Sequence, residues 1–471
     1  MTIRSKAIRP KYKRSVKRYR TFAIGKANDT ADESAREGAG VLMGAYVANC
    51  DCTGGVLRAA AGLTNFTLAD GDTVAVSTNM VQIKEFLLLP VKNSDGEWEK
   101  RLYCTTKAGY FYKYLEDDSK FFLSRLFDAE VKTVVALDTD ATPYLVFCGG
   151  TGIYTYNESQ GMKQVFSEAC APVACVADGR VFTAQKPQTL VYSAPFEPSN
   201  FTSDMHGGGR VVLPKNAGEI VGVAAINGYV YVFFEYGLAR LRVAGSAREF
   251  EVETIGYGGG RIFRDSIGVY GDKSGERAFF LAADGLYALR EKGVERVCEN
   301  LTITPRRTAQ VCNQAVADGR YYLRFIDKSG TYSGVAVDIA SEEGHYIYAK
   351  EGLSVIDGVA VCRSNDKVMC YRLGEKLPSG ITAEFEVVGA TFGVGGMKTL
   401  EKMRLLGEGA FVVTVETDKR SKTYYLVGST ARTAWDVRMR GKWFKFHFQM
   451  SGVGSALYGM EVEFSVLTGV E

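Results

Sequence analysis

Residues 228–243 read GYVYVFFEYGLARLRV. Two runs of alternating aromatic or aliphatic residues flank the turn Glu235-Tyr236-Gly237, and this arrangement is typical of a β-hairpin. Aromatic and β-branched side chains fill the pleated faces of strands, while glycine supplies the conformations that tight turns need. The stretch therefore predicts two antiparallel strands.

The same hairpin pattern recurs between about residues 80 and 375. The aligned first strands are 41, 37, 50, 48, 42 and 39 residues apart, which matches the length of a four-stranded propeller blade. A single blade cannot bury both faces of its sheet, so blades stack around an axis. We therefore predict a β-propeller of six or seven blades; one or two ordinary β-sandwiches are the alternative. The aligned residues are Tyr103, Tyr144, Val181, Tyr231, Phe279, Tyr321 and Ala360.

Turn dipeptides occupy the same place in three of these copies. Asp178-Gly179, Asn227-Gly228 and Asp318-Gly319 each come just before the aligned strand. Such dipeptides favour the two-residue turns that join hairpin strands. This repeated punctuation supports the propeller over the sandwiches, which do not need seven evenly spaced hairpins.

The chain after Pro378 alternates without the blade spacing, which predicts an antiparallel β-sandwich. Its six alternating runs are residues 381–388, 402–409, 410–417, 422–427, 441–450 and 459–467. The fold class is therefore all-β, a propeller followed by a C-terminal sandwich. The predicted divisions are a basic N-terminal arm (1–25), an irregular docking segment (26–80), the propeller (81–378) and the sandwich (379–471).

Composition narrows the class of protein. With 46% hydrophobic and 24% charged residues, the 471-residue chain has the composition of a folded globular protein. No run approaches the ~20 apolar residues that a membrane-spanning helix needs. The N-terminus lacks the apolar region of a secretory signal. The ten cysteines do not follow zinc-site spacing, and we interpret them as reduced thiols.

Charge is unevenly placed along the chain. Residues 1–20 hold nine Lys or Arg and no acidic residue. Because the formal net charge of the whole chain is +3, the other 451 residues have a net charge of −6. Tyr12 and Tyr19 interleave with these cations, which would suit phosphate contact and base stacking. Docking on an acidic surface of a neighbouring subunit and a solubilising tail are the alternatives. The cations of this docking or DNA-contact arm are Arg4, Lys6, Arg9, Lys11, Lys13, Arg14, Lys17, Arg18 and Arg20.

Residues able to carry out catalysis are scarce. The three histidines, His206, His345 and His447, are not paired in sequence with ligand-spaced carboxylates or cysteines. The acidic pairs Asp117-Asp118 and Glu342-Glu343 fall in polar turn regions, where solvated charge is the usual role. No protease, hydrolase or phosphate-loop motif is present. We therefore predict no catalytic residues, no metal, no cofactor and a protein that is not an enzyme.

A resemblance to a known family begins at Tyr192-Ser193, followed by Pro198-Ser199-Asn200-Phe201. This stretch resembles the YYS…(D)P..W/F segment of the tailed-bacteriophage neck and tail propeller proteins. These are tail nozzle proteins, proteins like tail tubular protein B, and packaged-DNA stabilisation proteins. Gly441 and Trp443 lie in a stretch that is similar to their closing RGRW strands. Phe201 stands where the family often has Trp, and the basic first 20 residues are a second departure.

The resemblance implies a structural virion protein of the neck or tail, assembled in the host cytoplasm. It would be a nozzle or tail hub ring below the portal and adaptor, retaining packaged DNA and conducting it at ejection. The implied partners are five further copies in a homo-hexamer, the portal, adaptor or other tail proteins, and double-stranded DNA bound non-specifically in the lumen. A bacterial propeller enzyme or carbohydrate-binding module is the rival hypothesis, and it requires converging carboxylates, a metal or an aromatic platform.

Overall fold

The structure is a computed structural model, and every element that it describes is a β-strand. This confirms the all-β prediction. No helix in the described part of the chain is long and apolar enough to cross a membrane. The description covers residues 10–470 except 25–40, 53–54, 60–61, 69–70, 72, 78, 94, 116–119, 186, 203–206, 215–216, 244–249, 273–274, 292, 300, 302, 307–312, 349, 365, 373–381 and 429–432.

Seven described strands precede the first blade of the propeller. Three of them, β4 to β6, are only two or three residues long. They are β1 (Pro10–Tyr19), β2 (Thr21–Ile24), β3 (Val41–Gly44), β4 (Tyr46–Ala48), β5 (Cys50–Asp51), β6 (Leu57–Ala59) and β7 (Gly62–Asn65).

The propeller is built from antiparallel four-stranded units. Its strands are β8 (Ile83–Lys92), β9 (Trp98–Thr106), β10 (Tyr110–Leu115), β11 (Lys120–Leu126), β12 (Val131–Leu137), β13 (Pro143–Gly149), β14 (Gly152–Asn157), β15 (Gly161–Phe166), β16 (Ala174–Ala177), β17 (Arg180–Gln185), β18 (Thr189–Tyr192), β19 (Gly209–Val212), β20 (Ile220–Ile226), β21 (Tyr229–Phe234), β22 (Gly237–Arg242), β23 (Glu251–Ile255), β24 (Gly268–Asp272), β25 (Gly275–Ala282), β26 (Gly285–Arg290), β27 (Gly293–Val297), β28 (Asn313–Ala317), β29 (Arg320–Ile326), β30 (Tyr332–Asp338), β31 (Gly344–Ile347), β32 (Ser354–Ile356), β33 (Val359–Ser364) and β34 (Lys367–Arg372).

Six of these units are separate sheets and form six blades: β8–β11, β12–β15, β16–β19, β20–β23, β24–β27, and β32–β34 together with β7. The strands β28–β31 form a further four-stranded meander that is continuous with a larger sheet. The first strand of this meander, β28, contacts both β24 and β32, so the meander lies between two blades in the ring. Strand β32 contacts β8, and this contact closes the ring.

The seven residues used to align the repeat all lie on the second strand of a four-stranded unit, from β9 to β33. Each of them is buried, and Tyr103, Val181, Phe279 and Tyr321 are completely so. The glycine dipeptides turn between the first and second strands with both residues at positive φ, for example 49° and 77° at Asn227 and Gly228. Such turns match the natural twist of paired strands. The repeat that the sequence predicts is therefore the blade itself.

The predicted propeller, residues 81–378, does not include every strand of its last blade. Strand β7, which belongs to the predicted docking segment, pairs antiparallel with β34, with Leu63 opposite Tyr371. The last blade thus takes its outer strand from the beginning of the chain. A strand of four residues with no hairpin partner next to it in sequence gives no local signal of this pairing.

The C-terminal strands are β35 (Ala383–Ala390), β36 (Lys398–Glu416), β37 (Ser421–Gly428), β38 (Thr433–Gly441) and β39 (Phe444–Val470). They form the predicted sandwich, and Phe392 packs between its layers, 5.0 Å from the ring of Phe464 and 6.2 Å from that of Phe446. The runs 402–409 and 410–417 were predicted as separate strands, but both belong to the 19-residue β36. Gly409, at a φ of 91°, lets the strand bend between layers without ending.

One sheet joins the sandwich to the propeller. Strand β4 pairs with β35 of the sandwich on one side and with β31 of the propeller on the other. Strand β1 pairs along its whole length with β39, from Pro10 opposite Val470 to Tyr19 opposite Met460. The predicted arm and docking segment therefore contain strands of the two domains, because open sheet edges offer main-chain hydrogen bonds to any extended segment.

Candidate functional site

A cavity of about 400 Å³ lies on the propeller axis, lined by residues in or beside the first strand of every four-stranded unit. Apolar residues supply just over half of its lining, as inner strands face one another across a propeller. One side carries charge: Lys132 Nζ lies 2.5 Å from Glu85 Oε2. The charged residues of the lining are Lys84, Glu85, Lys132, Arg264 and Asp265.

Lys84 is the most buried of these charges, with 4% of its side chain exposed. Its Nζ lies 2.9 Å from Glu130 Oε1 and 3.6 Å from Asp265 Oδ1. A buried ammonium is tolerated only when it is paired. Glu130 precedes β12 and Asp265 precedes β24, while Lys84 belongs to β8. These ion pairs therefore join three different blades across the axis.

Further cations surround the two carboxylates. Arg264 donates from Nη2 to Glu130 Oε2 at 2.6 Å, and its Nε lies 3.7 Å from Asp265 Oδ2. Lys107 Nζ also lies 3.7 Å from Asp265 Oδ2. We call Lys84, Lys107, Glu130, Arg264 and Asp265 the axial cluster. Its three cations face two carboxylates, so the axis carries a small positive excess.

The ionisation of the axial cluster follows from opposing effects. Burial disfavours the charged form of Lys84, but Asp265, Glu130 and Glu85 outweigh burial and raise its pKa. Burial likewise disfavours the Asp265 carboxylate, but Lys84, Lys107 and the neighbouring cations outweigh it and lower the pKa. Both groups are therefore charged at neutral pH.

The charges of the axial cluster link three blades. The Asp265 carboxylate faces cations that keep it ionised, which disfavours its accepting a proton. The Nζ of Lys84 and the Oδ2 of Asp265 have ion-pair partners but no hydrogen bond of good geometry among the described residues. Buried atoms of this kind commonly bind ordered water. The axial cluster therefore holds the blades together around a polar axis.

The predicted arm is a strand over its described length. Arg18 donates to Glu461 Oε2 at 2.7 Å, and Arg14 lies 4.0 Å from Glu463 Oε1. The side chains of Lys13, Arg14, Arg18 and Arg20 are exposed. The partner that the arm docks on is thus the chain's own last strand, which carries opposing glutamates. Lys11 and Lys17 also lie in β1, and Arg4, Lys6 and Arg9 lie outside the described residues.

The two tyrosines of this segment differ in exposure. Tyr12 is 56% exposed, whereas Tyr19 is 1% exposed and belongs to the core of the sandwich. Tyr19 is therefore too buried to stack on a base, because the end of β1 turns this side chain inward. Beside it, a groove of about 590 Å³ is lined by Arg18, Arg20 and Arg404 against the single carboxylate of Glu461.

The family-motif residues lie in the core and in turns. Tyr192 ends β18, and the Oγ of Ser193 accepts a hydrogen bond from Val181 N at 3.0 Å and donates one to Ala194 O at 2.9 Å. Phe201 is 1% exposed. The structure places none of the motif residues at the axial cluster. Of the others, Pro198 is buried in the loop after β18, Gly441 ends β38, and Trp443 lies half-buried before β39.

A second buried ion pair lies where the sandwich meets the propeller. Arg320 of β29 donates to Asp51 Oδ2 of β5 at 3.0 Å, and each side chain is 8% exposed. His345 of β31 is also buried there, and burial together with the Arg320 charge lowers its pKa to about 4. His447 lies 3.5 Å from Glu384, and His206 is outside the described residues.

Sequence reasoning missed Lys84, Glu130, Asp265, Asp51 and Arg320. The sequence does place charged residues directly beside apolar ones here. Lys84 and Glu85 come just before the apolar run 86–89, and Arg264-Asp265 come just after two apolar residues. Charge beside such runs usually marks a solvated strand end, so the pattern alone does not separate the two cases. Only the ring brings these charges together.

No metal centre is apparent in the described part of the chain, where no three His, Cys, Asp or Glu side chains are placed to hold an ion. The nine described cysteines are free and buried. Burial raises the pKa of each thiol for which a shift is resolved, Cys175 to about 12 for example. Buried thiols of this kind behave as small apolar side chains.

Comparison with known proteins finds matches among solved structures, but not among family models or curated proteins. No protein-family model matches the chain. No curated protein matches it. Among solved structures, the chain is similar to that described as "Structure of U3-55K", with 9% sequence identity and a TM-score of 0.43. The match covers 64% of this chain and 98% of that one.

Proposed function

We propose that this chain is a structural, non-enzymatic protein of the bacteriophage virion, forming a ring in the neck or tail next to the portal or adaptor. The resemblance in residues 192–201 and 438–466 suggests this class. The observation that carries the proposal is the joint between the two domains. A sheet that runs from β31 through β4 to β35, together with the buried Arg320–Asp51 pair, joins the two domains and opposes motion between them.

Rigidity matters because a neck ring must keep its shape around pressurised DNA. A linker between domains would permit relative motion, whereas shared strands and buried charge oppose it. The axial cluster occupies the centre of the propeller, where the cavity of about 400 Å³ is far too small for a duplex. In the proposed ring, DNA therefore passes between copies of the chain and not through a propeller.

The expected result for the 471-residue chain is a closed ring. Light scattering after size exclusion should give a mass near six copies, and electron microscopy should show a central hole. The ring should also bind the portal or adaptor protein from the same genome. A chain that stays monomeric at every concentration and binds neither protein would contradict the proposal.

The exposed cations of β1, together with Arg20 directly after it, are the proposed DNA contact. Replacing Lys13, Arg14 and Arg20 with glutamine should weaken duplex binding. It should also make the plot of log affinity against log salt less steep, by about 0.9 for each phosphate contact that is lost. Fluorescence anisotropy with a labelled duplex at several salt concentrations measures this slope.

The matched control replaces three exposed cations of the propeller, Lys92, Lys120 and Lys163, with glutamine. This variant has the same net charge as the β1 variant and should keep the wild-type slope. Equal slopes for the two variants would show that affinity follows net charge alone, and the proposed role of β1 in DNA contact would be abandoned.

A further inference from the structure

A groove of about 660 Å³ lies at the junction of the sandwich and the propeller, beside the sheet that joins the two domains. Strands β4, β30, β31 and β35 contribute to its wall. Grooves of this volume at domain junctions are a common location for small-molecule sites. Four tyrosines and two carboxylates line it: Tyr46, Tyr332, Tyr346, Tyr348, Asp327 and Glu384.

The tyrosines provide aromatic surface with exposed faces. Tyr46 is 42% exposed and Tyr332 is 51% exposed, which is unusual for large side chains in a concave site. Tyr46 stacks on Tyr346 with ring centroids 6.2 Å apart, and the Arg324 guanidinium lies 3.7 Å from the centre of the Tyr332 ring. These contacts hold both rings in place, so binding would order few side chains.

The carboxylates are fixed by local hydrogen bonds. Asp327 Oδ1 accepts from Ser329 N at 2.9 Å and from Thr331 N at 3.0 Å, and its Oδ2 accepts from Ser333 Oγ at 3.2 Å. The Ser329 hydroxyl also donates to Asp327 Oδ1 at 2.5 Å, and this side-chain bond is the main reason that the pKa of Asp327 is lowered. Glu384 Oε1 accepts from Gln449 Nε2 at 3.2 Å. Both groups therefore present oriented acceptors.

The tyrosines and carboxylates of the groove together indicate which class of ligand would fit it. Tyrosine hydroxyls donate and carboxylates accept, so the complementary molecule carries both donors and acceptors around an apolar face. The described residues that line the groove include two acidic side chains and no lysine, arginine or histidine. Arg324, which contacts the Tyr332 ring, offsets only one of these two negative charges, so anions are disfavoured. A purely cationic ligand would leave the tyrosine donors without acceptors.

We propose that this groove binds a neutral saccharide of one or two pyranose rings, with Tyr46 and Tyr332 contacting sugar faces and Asp327 and Glu384 accepting hydroxyl protons. The site lies within one chain, so binding does not depend on ring formation. A purified chain that forms no ring can therefore still bind sugar, and a ring can form without it.

The test is saturation-transfer NMR and calorimetry on the full chain. The probes are neutral di- and trisaccharides of glucose, galactose and N-acetylglucosamine, with lactose and sialyllactose as a pair that differ by one acidic sugar. At least one neutral probe should bind, and lactose should bind more tightly than sialyllactose. If no neutral probe binds, or if the acidic sugar or free lysine binds instead, the proposal is wrong.

Variants locate the site. Tyr46→Ala and Tyr332→Ala should each weaken binding tenfold or more, while Tyr332→Phe should keep most of it because the ring face remains. Tyr425→Ala is the control, since Tyr425 is 81% exposed on β37 and does not line the groove. Urea unfolding of each variant verifies folding. Equal losses in the control and the groove variants would overturn the assignment.

Discussion

Replacing Arg320 with methionine should lower the free energy of unfolding by about 3–5 kcal/mol, as expected when one member of a buried ion pair is removed. The change leaves the Asp51 carboxylate at a junction where its side chain is only 8% exposed. Urea unfolding followed by tryptophan fluorescence measures the effect, because Trp435 and Trp443 lie in the sandwich, one of the two domains that the pair joins.

The control for this prediction is Arg18→Met. Arg18 pairs with Glu461 at 2.7 Å, but its side chain is 64% exposed. An exposed pair of this kind contributes less than about 1 kcal/mol. Adding Asp51→Leu to Arg320→Met should restore part of the lost stability, since the buried charge that lost Arg320 is then gone. A loss no greater than that of the control would mean that the pair does not join the domains.

The second large effect is expected at the propeller axis. Lys84→Met should cost about 3 kcal/mol at neutral pH, because Asp265 and Glu130 then share fewer cations in a buried setting. Lys100→Met is the matched control, since Lys100 is 57% exposed and pairs with the exposed Asp357. The control should change the free energy of unfolding by less than about 1 kcal/mol.

The pH dependence of this cost gives an independent check. The pKa of Asp265 is lower in the folded chain than in the unfolded one, so the wild type gains stability from this group above the unfolded pKa of about 4. That stability is lost as pH falls through the folded pKa. The difference in the free energy of unfolding between Lys84→Met and the wild type should therefore shrink below about pH 4 as Asp265 is protonated. A difference that stays constant or grows on acidification would contradict the ion-pair account.

The blades could be predicted because their signals are local. Alternation around Tyr231 and the turn at Asn227-Gly228 depend on residues within a few positions of each other, and both recur in the structure as β21 and its turn. The sandwich could be predicted for the same reason, although its long bent strands could not. A glycine in a strand signals a break or a bend equally well, and the packing of the two layers decides between them.

The candidate sites could not be predicted in this way. The groove at the junction of the two domains combines Tyr46 of β4 with Tyr332 of β30. The axial cluster combines Lys84 and Asp265, which belong to different blades. Nothing in the sequence next to these residues distinguishes them from ordinary exposed tyrosines or solvated charges. The environment of a side chain is set by neighbours that are remote in sequence, and this environment determines what the side chain can do.

By itself, the sequence of this protein determined the repeating hairpin and the all-β class, because strand periodicity and turn chemistry are properties of short segments. The tertiary structure alone decided which distant strands pair. It placed β7 beside β34 in the last blade and β1 beside β39 in the sandwich. Main-chain hydrogen bonds are the same for every sequence, so an open sheet edge accepts whichever extended segment the fold brings to it.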